Sequence, residues 1–412
     1  MPDAFRIITS VDEAERSATA GALRVRSAWL QSAESPFGVH DLEGQGYVYA
    51  KNELLVSARD YPRLAKALDR LNIEAKPQHS DELGVVRVQI APAPGADGER
   101  RVPDMLAEIR KVDAGEGDLA DQPPLHIAPN HVFSGEPEYE GGPATWARPS
   151  QRKTQVQGRL GKGVHVSVID TGYMRGVHPY MDEHVNSTGT PDLDTQPQDG
   201  EIDYEAGHST FVAGMILRRA PRAEIDVAEV LGPAGFGTEH DIAQAIVAHA
   251  GANVINLSLG GYTEDDQPPL ALDAALRKVH PGTAVVAAAG NNGSPRLMWP
   301  AAFKRVIAVG AVDAAHQRAE FSNYGWWVDA CAMAVDLIGP FPRFPDGEAV
   351  TDPEFDGWAI WSGTSFAAPK LSGEIAARLS TRRFGTARDA AASLVNDPTR
   401  QHLPGLGTLL AL

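Results

Sequence analysis

The chain has 412 residues, 43% of them apolar and 22% charged, which suits a soluble globular protein with more than one sizeable core. Its formal net charge of −17 opposes binding to nucleic acid or to an anionic membrane surface. No run is long and apolar enough to span a bilayer, and the first residues lead into no signal-peptide core, so a cytoplasmic setting is expected.

Residues 1–46 carry mixed charges with little apolar periodicity and are assigned to no domain. Within residues 47–133, Glu53 to Ala58 reads as a strand, and Leu64, Ala67, Leu68 and Leu71 have helical spacing. Ile73 to Lys76 reads as a short strand and the β-branched run Val85 to Ile90 as a stronger one. Val102 to Val112 predicts a helix, and Leu125 to Ile127 opens a last strand. The order strand, helix, strand, strand, helix, strand predicts a small α+β domain of ferredoxin-like type. Gly, Pro and Glu then dominate residues 134–150, a linker by composition.

From residue 151 to 412 strands and helices alternate. Val164 to Ile169, Ile225 to Val230, Val254 to Leu259, Ala284 to Ala289 and Val306 to Val309 read as strands. Phe211 to Ile216, Ile242 to Ala250 and Leu270 to Val279 read as helices between them, and Ala367 to Leu379 as a later one. Near-continuous apolar strands alternating with helices predict an α/β, doubly wound, mostly parallel sheet covered on both faces. Sites in such sheets form at the carboxyl ends of strands. Cys331, the single cysteine, excludes an intrachain disulfide and sits in an apolar run suited to a packed, inert thiol.

Four residues carry the chemistry. Asp170 ends a predicted strand, His208 opens a predicted helix, and Ser365 falls in Gly363-Thr364-Ser365 at the start of another. A serine hydroxyl is a weak nucleophile and needs a base, which histidine supplies near neutral pH, and an aspartate can fix the imidazole tautomer. Asn291 lies in a Gly-Asn-Asn-Gly turn. Each has a plainer reading: a strand-end cap for Asp170, helix caps for His208 and Ser365, a turn residue for Asn291. Four such coincidences at the strand ends and helix starts of one sheet are the weaker account.

Val168-Ile169-Asp170-Thr171-Gly172, the segment Gly207 to Gly214, Ala288-Ala289-Gly290-Asn291 and the segment Gly363 to Pro369 resemble the motifs of the subtilisin-like serine proteases, in the family's order of Asp, His and Ser. The resemblance covers the chain from about Gly161 to the C-terminus. It implies a serine endopeptidase with Asp170, His208 and Ser365 as triad, acting through an acyl-enzyme. Asn291 and the Ser365 backbone N–H would hold the oxyanion. It implies further that Gly235-Phe236-Gly237 and Ser258-Leu259-Gly260 pair with a polypeptide substrate from either side. The domain before the linker is similar in element order to the family's inhibitory propeptides, which implies an intramolecular contact around Asn130 to Gly135 within the catalytic cleft.

The chain departs from the family at Ser209 and Phe211, which stand where glycine and a second histidine are usual. The short connection from Met215 to Ile225 leaves no room for a calcium loop that many members carry. Asp192, Asp194, Asp199, Asp203 and Glu205 are acidic but lack the twelve-residue spacing of a calcium loop, and read as a solvated segment, with a calcium site as the minor alternative; no other metal or cofactor is expected. Two other functions are weighed. A non-catalytic binding or scaffold protein on a protease fold would fold normally and turn nothing over. An α/β-hydrolase esterase would need Ser before Asp and His, and a second glycine after the nucleophile.

Overall fold

A computed structural model describes residues 30, 35–40, 46–91, 101–114, 123–135, 147–187, 205–232, 235–344 and 355–412. The smaller domain contains β1 (Phe37–His40), β2 (Tyr47–Ser57), α1 (Tyr61–Arg70), β3 (Ala75–Ser80), β4 (Val85–Ile90), α2 (Val102–Ala114) and β5 (Ile127–Ser134). Its antiparallel strands run in the order β5-β2-β4-β3, with β1 on β2, as a ferredoxin-like split βαβ unit requires. Leu54, Val56, Val86 and Val88 from the sheet pack against Leu64 and Leu68 of α1 and Leu106 and Ile109 of α2. Strand β3 begins two residues later than Ile73 and extends past Lys76 to Ser80. It is polar, carries Pro77 and lies at the sheet edge, so it offers no hydrophobic periodicity to read.

The larger domain opens with β6 (Arg148–Pro149) and β7 (His165–Asp170), then α3 (Pro179–Asp182) and β8 (Val185–Ser187). Next come α4 (His208–Arg219), β9 (Glu224–Glu229), β10 (Phe236–Thr238), α5 (Glu239–Ala248), β11 (Val254–Leu257), α6 (Leu270–Lys278), β12 (Ala284–Ala288) and β13 (Val306–Val312). It ends with β14 (Ala330–Met333), β15 (Leu337–Phe344), β16 (Phe355–Trp361), α7 (Thr364–Ser380), α8 (Ala387–Val395), β17 (His402–Leu403) and β18 (Gly407–Leu410).

The central nine-stranded sheet has the order β17-β18-β14-β13-β12-β11-β7-β9-β8 and is parallel except for the β17–β18 pair. Side chains alternate between its faces. Val166, Val168, Val254 and Val286 pack with Phe211, Ile216, Phe366 and Leu371 of α4 and α7. Ile169, Ile255, Leu257 and Val285 pack with Ile242 and Ile246 of α5 and Leu272 and Leu276 of α6. Burial on both faces explains why these strands are continuous apolar runs in the sequence. Cys331 of β14 is buried against Val312, Leu406 and Leu409, and burial pushes its thiol up to about 12, so it stays protonated and inert.

The two domains share a sheet. Strand β5 leaves its own domain's core and pairs antiparallel with β10, with Phe236 opposite Ser134, Gly237 opposite Phe133 and Thr238 opposite Val132. Phe133 is fully buried in the larger domain's core beside Leu231, Leu257 and Leu259. Burying one such side chain contributes about 1.5–3 kcal/mol. Around this seam Asn130 accepts the His240 N–H at 3.1 Å and donates to Glu53 at 2.7 Å. The His131 Nδ1–H donates to Glu239 at 2.8 Å, while the Glu264 N–H donates to its Nε2 at 3.2 Å. Arg110 grips Glu264 with both ends of its guanidinium, at 2.6 and 2.9 Å, and this carboxylate holds Arg110 above its usual range.

Candidate active site

Asp170 is the last residue of β7, at the carboxyl edge of the sheet and fully buried. A buried carboxylate needs donors, and three converge on its Oδ1. The Thr171 N–H donates at 2.7 Å, the Ser209 hydroxyl at 3.0 Å and the His208 Nδ1–H at 2.8 Å. Because a carboxylate only accepts, the proton of His208 sits on Nδ1, and Nε2 is left as the basic nitrogen.

His208 is the first residue of α4. The preceding Gly207 has φ +77°, and a Cβ there would lie 2.4 Å from the Phe341 ring, so the turn that delivers His208 tolerates glycine alone. The imidazole is walled by Trp361 and Phe366, at ring-centroid distances of 5.5 and 5.4 Å. Phe211, one turn further along α4, stacks on Phe366 at 4.5 Å. The position that departs from the usual histidine therefore builds the apolar wall of the site. Ser209, the other departure, is a positioning residue that composition did not reveal: its single hydroxyl proton is within reach of both Asp170 Oδ1 and the Thr171 carbonyl.

Ser365 is the second residue of α7, where backbone N–H groups have no partner four residues back. Its carbonyl accepts the Ser258 hydroxyl at 2.7 Å. Ser258 in turn accepts from Asn256, whose Oδ1 accepts from Ser372 at 2.8 Å, so the nucleophile's backbone is tied to β11. Asn291 is held by Thr364: its Oδ1 accepts the Thr364 N–H at 2.9 Å and the Thr364 hydroxyl at 2.8 Å. Two donors on one atom fix the amide's orientation and turn Nδ2 the other way. That Nδ2 is buried and bonds nothing among the described residues. Asn323 props the same turn by accepting the N–H groups of Asn292 and Ser294, each at 3.0 Å, and was not singled out from the sequence.

The end of β5 runs beside these groups. The Ser134 N–H donates to Gly260 O at 2.9 Å and the Gly260 N–H returns to Ser134 O at 2.8 Å. On the opposite side the Gly135 N–H donates to Gly235 O at 3.2 Å. The Ser365 hydroxyl donates to Gly135 O at 2.9 Å, with Ser258 O a longer contact at 3.4 Å. Gly235, Phe236 and Gly237 thus flank one side of an extended chain, and Ser258, Leu259 and Gly260 the other. Gly237 is required because a Cβ there would stand 2.4 Å from Val230 O.

Asp192, Asp194, Asp199 and Asp203 lie outside the described residues. Glu205 is not solvated: it is buried, with a carboxylate oxygen 3.6 Å from His208 Nδ1. Burial also marks where the expectation of a solvated segment fails at its last residue. Among the described residues no three His, Cys, Asp or Glu side chains are grouped to hold a metal ion, and no helix is long and apolar enough to cross a membrane.

Residues 161–406 match the model of the subtilase family, more than half of the chain. A thermophilic serine proteinase of Bacillus sp. (strain AK1) is 32% identical over 372 residues, covering 85% of this chain and 83% of that protein. A match of that extent cannot be confined to the larger domain. Thermitase of Thermoactinomyces vulgaris is 31% identical over 263 residues, 61% of this chain and 86% of that one. Among solved structures, fervidolysin of Fervidobacterium pennivorans, a keratinolytic enzyme related to subtilisin, superposes with a TM-score of 0.59 at 20% identity. It covers 90% of this chain and 61% of its own, and shares the fold. With a parallel sheet that presents Asp170, His208 and Ser365 at its carboxyl edge, and with relatives of this extent, the chain belongs to the subtilase family and is a serine proteinase.

Proposed function

We propose that Asp170, His208 and Ser365 are the catalytic triad of an endopeptidase held autoinhibited by its own N-terminal domain. The observation that carries this reading is the hydrogen bond from the Ser365 hydroxyl to Gly135 O, on a chain segment paired from both sides like a bound strand. Ser365 Oγ attacks a peptide carbonyl carbon while His208 Nε2 takes its proton. Asp170 holds the Nδ1–H and stabilises the imidazolium. Collapse of the tetrahedral intermediate breaks the C–N bond, and His208 returns the proton to the leaving amine. Water then repeats the sequence on the acyl-enzyme. The Asn291 amide and the Ser365 N–H stabilise the oxyanion in each half.

Autoinhibition follows from occupancy. Strand β5 fills the place of a substrate, and the buried Phe133 and the polar seam around Asn130 and His131 hold it there. The domain also brings a preformed partner strand to β10, beside a parallel sheet whose distant contacts make folding slow. The wild-type protein is expected to be cut between Phe133 and Gln151, and the Ser365→Ala variant to remain full length, on gels followed over days. Identical migration of both forms identifies the N-terminal domain as a permanent accessory. A non-catalytic scaffold would give that result together with no labelling by a fluorophosphonate.

Asn291→Ala is expected to lower kcat about 10²–10³-fold with little change in KM, the magnitude found for the corresponding asparagine of subtilisin. Steady-state kinetics on a chromogenic peptide measures it. An unchanged kcat removes Asn291 from the oxyanion site.

A further inference from the structure

Glu205 lies in the turn that leads into α4, and its carbonyl accepts the His208 N–H at 3.1 Å. Its side chain passes under the groove. A Cβ built on Gly235 would be 2.2 Å from Glu205 Cγ. A Cβ built on Gly135 would be 2.4 Å from Glu205 Oε2 and 2.8 Å from its Cδ. Real Cβ atoms essentially never approach within 3.0 Å. The stem of Glu205 therefore lies beneath Gly235 and its head directly beneath Gly135.

A carboxylate is the far end of a flexible side chain, so the outcome depends on whether it can move aside. Three features hold it. Its Cγ is packed against the backbone of Gly235, whose φ of +81° already commits that position to glycine. Its head stands 3.6 Å from His208 Nδ1, where opposite charge favours it as the imidazolium forms. It is fully buried, so a swing needs a new polar partner inside the protein.

We propose that Glu205 is a specificity-determining residue that restricts the substrate residue in the place of Gly135 to glycine. The proposal rests on the reading that β5 lies as a substrate does. The selection is steric: any side chain at that place overlaps the carboxylate, and overpacking of this kind costs enough to slow cleavage about 10- to 100-fold. It singles out, among polypeptides, those with a glycine next to or at the cut.

The test is cleavage of a proteome-derived peptide mixture, with the cut sites sequenced by mass spectrometry. Wild-type protein is expected to show glycine enriched at one fixed position within two residues before the cut. Glu205→Ala is expected to erase that enrichment, and Glu205→Gln, of equal size, to keep it. Enrichment that survives Glu205→Ala, or no glycine enrichment in the wild type, overturns the proposal. Loss of selection in Glu205→Gln overturns the steric basis and assigns the effect to charge. A second measurement on the wild type alone stands if Glu205→Ala fails to fold. The best glycine peptide is compared with its alanine and arginine versions, and equal or faster cleavage of either overturns the proposal. Complete absence of cleavage by the wild type instead refutes the endopeptidase reading.

Discussion

Ser365→Ala is expected to lower kcat on a peptide substrate by about 10⁶-fold, the loss recorded when the nucleophile of subtilisin is removed. The substitution deletes one oxygen and leaves its surroundings intact. Ser258 still bonds the residue 365 carbonyl, and Thr364 still orients Asn291. Substrate binding is therefore expected to persist, with KM little changed. A fluorophosphonate should label the wild type and not the variant. Labelling that survives the substitution places the nucleophile elsewhere.

Asp170→Ala is expected to lower kcat by about 10⁴-fold, near the value for the same position of subtilisin. The Thr171 N–H and the His208 Nδ1–H would lose their acceptor in a buried site, and the Ser209 hydroxyl would keep only the Thr171 carbonyl. His208 would then no longer be held in the tautomer that leaves Nε2 basic. The geometry adds a finer expectation. All three donors meet one oxygen, and Oδ2 makes no hydrogen bond among the described residues. Asp170→Asn can therefore keep its carbonyl where Oδ1 was and preserve the tautomer, losing the charge that stabilises the imidazolium. It should be less impaired than Asp170→Ala. Kinetics of the two variants, with circular dichroism to check folding, decides it: an asparagine variant as impaired as the alanine one means the amide has flipped.

The central strands were legible because burial on both faces writes them as apolar runs, as in Val254 to Leu257 and Ala284 to Ala288. The positions of Asp170, His208 and Ser365, the proposed triad, were legible because they fall at strand ends and helix starts, places the sequence marks with Gly and Thr. Short strands were not. Strands β6, β8, β10 and β17 have two or three residues, too few for a period. The hairpin of β15 and β16 and the helix α8 were also unassigned, although Thr386 caps α8 by accepting the Asp389 N–H, a signal present in the sequence. Ser209 and Glu205 gain their roles only when residues 135, 170 and 235 are brought beside them. No local pattern encodes such convergence.

Strand β10 is only three residues long, and its partner edge at Gly260 is shorter still. Were β5 to depart, as the proposed autoinhibition requires for activity, the open edge would be too short to template the stacking of whole sheets, the usual hazard of an unpaired strand. It also makes demands on what may replace β5. The incoming chain must be extended and must offer free N–H and C=O groups on both of its edges at once. A strand already inside a sheet has spent those groups, and a helix has turned them inward. A groove of this shape is therefore expected to select polypeptides by conformation. On the proposed reading, unfolded segments and loop tips are expected to enter, and well-packed native domains, the protein's own included, to be passed over.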